Sequence, residues 1–184
     1  MGAENIRMFS FYMPTDKDSA IFKNEVLDRL GKMAEIAHGT GVTLCHENEK
    51  GIYGDKAAQC LEILTTIPEI KGIFDPANFV QSGEDTINAW NMLKSYIKYM
   101  HVKDARAIDD VIVPAGSGDG NFKIIVPEYI AAGGTAFTME PHLKEFSGLS
   151  GLEREGEESK VGEFNFATGD EAFDYACKAF KAIL

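Results

Sequence analysis

Four residues whose side chains bind hard cations stand at equivalent places in this chain: Glu47, Asp75, His101 and Glu140. Each ends a strand-like run: VTLCHE (42–47), IKGIFD (70–75), IKYMH (97–101) and TAFTME (135–140). Three carboxylates and one neutral imidazole make an oxygen-rich donor set. It suits one divalent ion, Mn²⁺, Mg²⁺ or Co²⁺, and Zn²⁺ less closely. Four protein donors leave open positions on a six-coordinate ion, which a sugar would fill with a carbonyl oxygen and the adjoining hydroxyl. The ion would polarise that carbonyl and acidify the neighbouring C–H. Glu47 and Glu140, on opposite faces of such a substrate, would remove a proton from carbon and return it elsewhere.

These residues meet only if the strands that carry them run parallel, so that all four ends point the same way. The pattern between them predicts this. IRMFSFY (6–12) reads as a first strand. Residues 20–37 carry Phe22, Val26, Leu30, Met33 and Ala37 at helical spacing. Asp55 is placed to cap a helix bearing Ala57, Ala58, Leu61 and Leu64. Residues 84–94 form another helix, with Ile87, Trp90 and Leu93 inward. Residues 122–132 form a further one, in which Pro127 is tolerable only near the first turn. After TAFTME comes a long loop, 141–160, then a short sixth strand in VGEFNFA (161–167) and a closing helix over 170–184. Strands alternating with helices are the βαβ signature and give a parallel sheet. A closed (β/α)₈ barrel needs eight strands and at least ~200 residues. At 184 residues the chain reads as an α/β protein: one domain over 1–184, an incomplete (β/α)₈ TIM barrel of about six parallel strands with outer helices.

Strand side chains alternate. If Glu47 faces the barrel interior, so do Cys45 and Thr43; if His101 does, so do Tyr99 and Lys103; if Glu140 does, so do Thr138 and Ala136. Leu44, Phe74, Met100, Val102, Phe137 and Met139 then face the helices, and His46 goes with them, away from the ligand set. An acid alone at a strand end usually caps the following helix, and a histidine alone is usually half-buried. Four such residues at equivalent ends are what make a shared metal site the better reading. Around them, Lys103 and Arg106 could bind a carboxylate or phosphate, Asn78 a substrate hydroxyl, and His142 lies on the inward side just past Glu140. GSGDG (116–120) reads as a turn and cap signal, not a phosphate-binding fingerprint.

Composition excludes several classes. The net charge of −11 repels phosphate backbones, so nucleic acid is not an expected partner. No run of ~18 apolar residues predicts a membrane span, and the first twenty residues lack the pattern of a secretory signal. Three cysteines, Cys45, Cys60 and Cys177, are odd in number and widely spaced, and read as packing residues of a reduced, cytoplasmic chain. The acidic stretch 151–160 reads as a solvated loop.

Five blocks in order, GVTLCHEN, FDPANF followed by SGED, HVKDAR, PAGSGDGNF and GGTAFTMEPH, resemble the xylose isomerase-like TIM-barrel family of sugar-phosphate isomerases and epimerases. The resemblance covers nearly the whole chain from Ile6. It implies that Glu47, Asp75, His101 and Glu140 hold one divalent metal and that the two glutamates act as acid and base. Many members have His three residues after the Asp, where this chain has Asn78, and Arg106 looks like the family's substrate-contacting Arg. It also implies that 6–12 matches the family's third strand, so that the first two βα units are missing and self-association covers the opening.

The expected function is a metal-dependent sugar or sugar-phosphate isomerase or epimerase, working by proton abstraction next to a carbonyl through a metal-bound enediolate. A dehydratase of a keto-cyclitol would share the first step. Two other classes stand beside it: a non-catalytic metal- or sugar-binding remnant of such a barrel, and an abasic-site endonuclease-like phosphodiesterase. The last uses several zinc ions and a basic groove, against which four His residues and the acidic charge speak.

Overall fold

The structure, a computed structural model, describes residues 2–144, 164 and 166–184. Its strands are β1 (Asn5–Met8), β2 (Thr43–Glu47), β3 (Lys71–Phe74), β4 (Ile97–Val102), β5 (Asp104–Ala105), β6 (Ile112–Val113) and β7 (Phe137–Met139). Its α-helices are α1 (Lys23–Ala37), α2 (Ala57–Thr66), α3 (Pro76–Gln81), α4 (Thr86–Leu93), α5 (Phe122–Ala131) and α6 (Gly169–Lys181). Five strands pair in parallel in the order β1-β2-β3-β4-β7, curling into a half-barrel. β5 and β6 form a small antiparallel pair beside it. The sixth strand expected at 161–167 falls mostly outside the described residues; Phe164, Phe166 and Ala167 are described and lie in no strand. The long loop expected at 141–160 and the acidic stretch also fall almost wholly outside them.

The outer face of the sheet carries the core, as the alternation predicts. Phe74, Met100 and Val102 pack with Leu30 of α1, Ile63 and Leu64 of α2, Trp90 of α4 and Ile125 of α5. Trp90 meets Phe74 edge-on at 5.3 Å, a favoured aromatic geometry. Simple alternation along β4 is broken once. Gly72 pairs with Ile97 but Ile73 pairs with Tyr99, so β4 carries an extra residue, a β-bulge. Ile97 therefore packs outward; a Cβ on Gly72 would stand 2.8 Å from its Cδ1. Past the bulge, Tyr99 and His101 share the inner face, their rings 5.7 Å apart.

Three local expectations are corrected. Lys56, not Asp55, occupies the N-cap position of α2 and makes no side-chain cap; Glu84 instead accepts a hydrogen bond from the Ala57 amide at 3.3 Å. Pro127 lies past the first turn of α5, yet that helix runs on to Ala131, with Ile125 and Val126 fully buried in the core. The 84–94 helix begins later, at Thr86, because the Asp85 side chain caps it through the Asn88 amide.

His46 faces the helix layer as alternation requires. It is 1% exposed, its ring lies against Gly54, and its Nε2 has no hydrogen-bond partner among the described residues. Burial drives its pKa down from 6.5 to about 4. The unfolded chain therefore binds a proton that the folded chain refuses. This stability is complete above about pH 6.5 and is lost as pH falls through about 4, at roughly 1.4 kcal/mol per unit. In chelator, urea unfolding of His46→Leu is expected to lose less stability than wild type between those two pH values. Equal slopes would show that His46 does not titrate in this way.

Candidate metal centre

The four strand ends do meet. Ligand atoms of Glu47, Asp75, His101 and Glu140 lie within 4.8 Å of one another. His101 Nδ1 is 3.0 Å from Glu47 Oε1, 3.5 Å from Asp75 Oδ2 and 3.5 Å from Glu140 Oε2. Glu47, Asp75 and His101 are buried, while Glu140 at the edge strand is 23% exposed.

Local chemistry aims each donor. Asp75 ends β3 and caps α3: its Oδ1 accepts from the Asn78 amide at 2.9 Å, which leaves Oδ2 for the cluster. The helix-capping reading of this acid holds on Oδ1, and Oδ2 is left to face the other three side chains. Asn48 clamps the Asp75 backbone from both sides, donating to its carbonyl at 3.0 Å and accepting from its amide at 2.9 Å. Buried polar atoms normally have partners. Here Asp75 Oδ2 and His101 Nδ1 have close neighbours but no aligned hydrogen bond. Two buried ligand atoms that face each other in an oxygen-rich shell without an aligned hydrogen bond fit a cation, so the residues present suit a hard divalent ion.

The electrostatics agree. Burial alone would lower the His101 pKa, but Asp75 and Glu47 outweigh it and push it up to about 10. Burial alone would raise that of Asp75, but Lys103 and His101 hold it well below the usual carboxylate range. Without an ion, the imidazolium and Lys103 supply the positive charge these carboxylates need.

The secondary candidates separate. Lys103 is buried, 3.2 Å from Asp75 Oδ2 and donating at 2.7 Å to Asn78 Oδ1. It is a supporting cation under the cluster, not a residue of a solvated loop. Asn78 turns its amide group toward Glu47 Oε1 and Glu49 Oε2, both at 3.4 Å. Arg106 forks onto Asp109, with Nη2 at 2.8 Å from Oδ2. His142 adopts positive φ, 43°, two residues beyond Glu140.

Three supporting residues escaped sequence reasoning. Arg7, on β1, reaches Glu47 Oε2 at 3.0 Å and Glu140 Oε1 at 3.4 Å; only its inward parity opposite Cys45 could have marked it. Asn48 directly follows Glu47, one residue past the end of β2, where strand alternation no longer predicts its direction. Asp104 is buried and accepts backbone N–H bonds from Ala105, Gly116, Gly118 and Gly120 at 2.8–3.0 Å. The glycine-rich segment is thus wrapped around a carboxylate of the chain itself. A Cβ at Gly118 would lie 2.4 Å from the Ala105 carbonyl oxygen, so no side chain fits there.

A curled parallel half-barrel whose polar side chains converge at the C-terminal strand ends is the place where α/β barrels build their active sites. The family description "xylose isomerase-like TIM barrel" matches residues 1–142, and the chain belongs to that family. An inosose dehydratase of Mesomycoplasma hyopneumoniae is 30% identical over 100 residues, which are 50% of this chain and 33% of the dehydratase. The chain therefore matches about a third of that curated relative's length. A D-tagatose 3-epimerase-like protein shares the fold at TM-score 0.70 and 16% identity, covering 98% of this chain and 61% of its own. The IOLI protein, solved with a bound zinc atom, does so at TM-score 0.73 and 15% identity, covering 99% and 63%.

Proposed function

We propose that the protein is a divalent-metal-dependent sugar or sugar-phosphate isomerase or epimerase. Glu47, Asp75, His101 and Glu140 hold one ion, and Glu47 and Glu140 exchange protons with carbon. The observation that carries this reading is the convergence of four donors within 4.8 Å, two of them buried with no aligned hydrogen bond among the described residues. A bound ion supplies carbonyl polarisation. The chain does the rest. Lys103 and the α3 cap fix Asp75. His101 keeps the glutamate oxygens Glu47 Oε1 and Glu140 Oε2 turned to one point. Glu140, at the exposed edge, is open to a substrate, and Glu47 lies across from it. Asn78, beside Glu47 and Glu49, is the substrate contact this reading favours.

The test combines elemental analysis of protein purified without chelator with proton exchange from D₂O into ketoses, ketose phosphates and keto-cyclitols. About one ion per chain and deuterium entering next to a carbonyl are expected. An ion without exchange on any of these would move the non-catalytic binding reading to first place. The dehydratase relative favours a second reading, loss of water after the same proton abstraction, which would appear as an unsaturated ketone absorbing in the ultraviolet. The multi-zinc nuclease reading is disfavoured: among the described residues only one metal-capable cluster forms, and His46 points away from it into the helix layer.

Among the described residues, β1 and β7 each leave one edge unpaired, and Ile6 on β1 is 48% exposed. Open edges of this kind pair with other chains. Sedimentation at micromolar concentration is expected to show a dimer or larger species that covers the opening; a monodisperse monomer would refute the expectation. Among the described residues no helix is long and apolar enough to cross a membrane.

A further inference from the structure

We infer that Arg7 is the anchor for an anionic group of the substrate, a carboxylate or a phosphate; this rests on the proposed function. Nη1 of Arg7 makes both of its polar contacts, to Glu47 Oε2 and Glu140 Oε1. The opposite oxygen of each glutamate is the one turned to His101. The guanidinium therefore takes the two glutamate oxygens that His101 does not, and leaves those facing His101 to the four-residue cluster. Its plane lies by the Phe9 ring, 5.2 Å from the centroid, a contact that restrains a long side chain.

Nη2 and Nε have no other partner among the described residues, and the side chain is 46% exposed. A guanidinium held by one nitrogen, with its other nitrogens unpaired among the described residues, has the forked edge that takes two oxygens of a carboxylate or phosphate. The other two cations near the cluster are committed elsewhere: Lys103 is buried on Asp75 and Asn78, and Arg106 forks onto Asp109. The charge of −11 repels anions in general, so an anionic substrate needs a local cation at the mouth, and Arg7 is placed to be it. The tie to both glutamates also brings the anchored group next to the pair that would exchange the proton.

The experiment is titration calorimetry on Mn²⁺-loaded protein with fructose, fructose 6-phosphate and 5-ketogluconate, for wild type, Arg7→Met and Arg7→Lys. Wild type is expected to bind at least one of the two anions about tenfold or more tightly than fructose. The anion that does so tells phosphate from carboxylate. Arg7→Met is expected to lose that advantage while still holding one Mn²⁺ per chain, and Arg7→Lys to recover part of it. If wild type shows no preference for either anion, or Arg7→Met keeps the preference, the anchor assignment falls. Equal weakening of all three ligands in Arg7→Met would also overturn it and leave Arg7 as a tether of the glutamates alone. Deuterium exchange, run in parallel, separates the two proposals: binding preference without exchange would sink the isomerase reading and spare Arg7.

Discussion

Replacing His101 by alanine is expected to abolish divalent-ion binding, cutting affinity by more than the roughly 10–100-fold that loss of a supporting shell residue alone costs. His101 is the one donor within 3.5 Å of all three carboxylates, so its loss separates them. It also removes a buried cation from beside Glu47 and Asp75, and breaking such a group destabilises by roughly 3–5 kcal/mol. Asp75→Asn is therefore the companion variant. An asparagine oxygen can still cap α3, while the charge that would bind the ion is gone. Both variants should hold far less metal than wild type by elemental analysis, and Asp75→Asn should keep the wild-type circular dichroism. If both retain one ion per chain, the four-residue site is wrong.

The same geometry fixes a pH dependence. In the metal-free protein the His101 proton is held up to about pH 10, and an ion needs that nitrogen bare. Ion and proton compete. Below that pKa each unit of lower pH weakens binding about tenfold, so affinity rises with pH and one proton leaves per ion bound. Calorimetry in buffers of differing ionisation enthalpy reads the proton directly. Binding that is flat between about pH 6 and about pH 9 would mean that His101 is neutral before the ion arrives.

What the sequence showed and what it hid divide along a physical line. Strand ends and alternation are local and periodic, so Glu47, Asp75, His101 and Glu140 could be set on one rim, and Phe74, Met100 and Val102 on the helix face, without coordinates. Parity places Lys103 inward, but its burial on Asp75 depends on where β3 and β4 sit relative to each other, and that register contains a bulge in β4, opposite Gly72 and Ile73, which no residue pattern announces. Arg7 looks like any half-exposed strand arginine until β1 and β7 are brought to the two sides of the mouth. Asp104 reads as part of a charged turn; only the path of residues 116–120 around it shows that the glycines are there to let three amides close on one carboxylate.

Glu140→Gln is expected to lower epimerisation on the order of 10³-fold, within the range by which a positioned acid or base contributes. Glutamine matches glutamate in shape and keeps a carbonyl oxygen for the ion, but it cannot take a proton. Its neighbours at the exposed edge, His101 at 3.5 Å and Arg7 at 3.4 Å, impose no fold-wide strain, so metal content and circular dichroism should change little. If Glu47 and Glu140 serve opposite faces of the substrate, removing one leaves the other competent. The variant should then still wash deuterium out of one epimer while failing to interconvert the two, and Glu47→Gln should show the reverse preference with a greater loss of metal, since Glu47 is buried 3.0 Å from both His101 and Arg7. Full interconversion in Glu140→Gln would remove Glu140 from proton transfer. Loss of exchange from both epimers, with metal retained, would make it the base on both faces and leave Glu47 as a ligand alone.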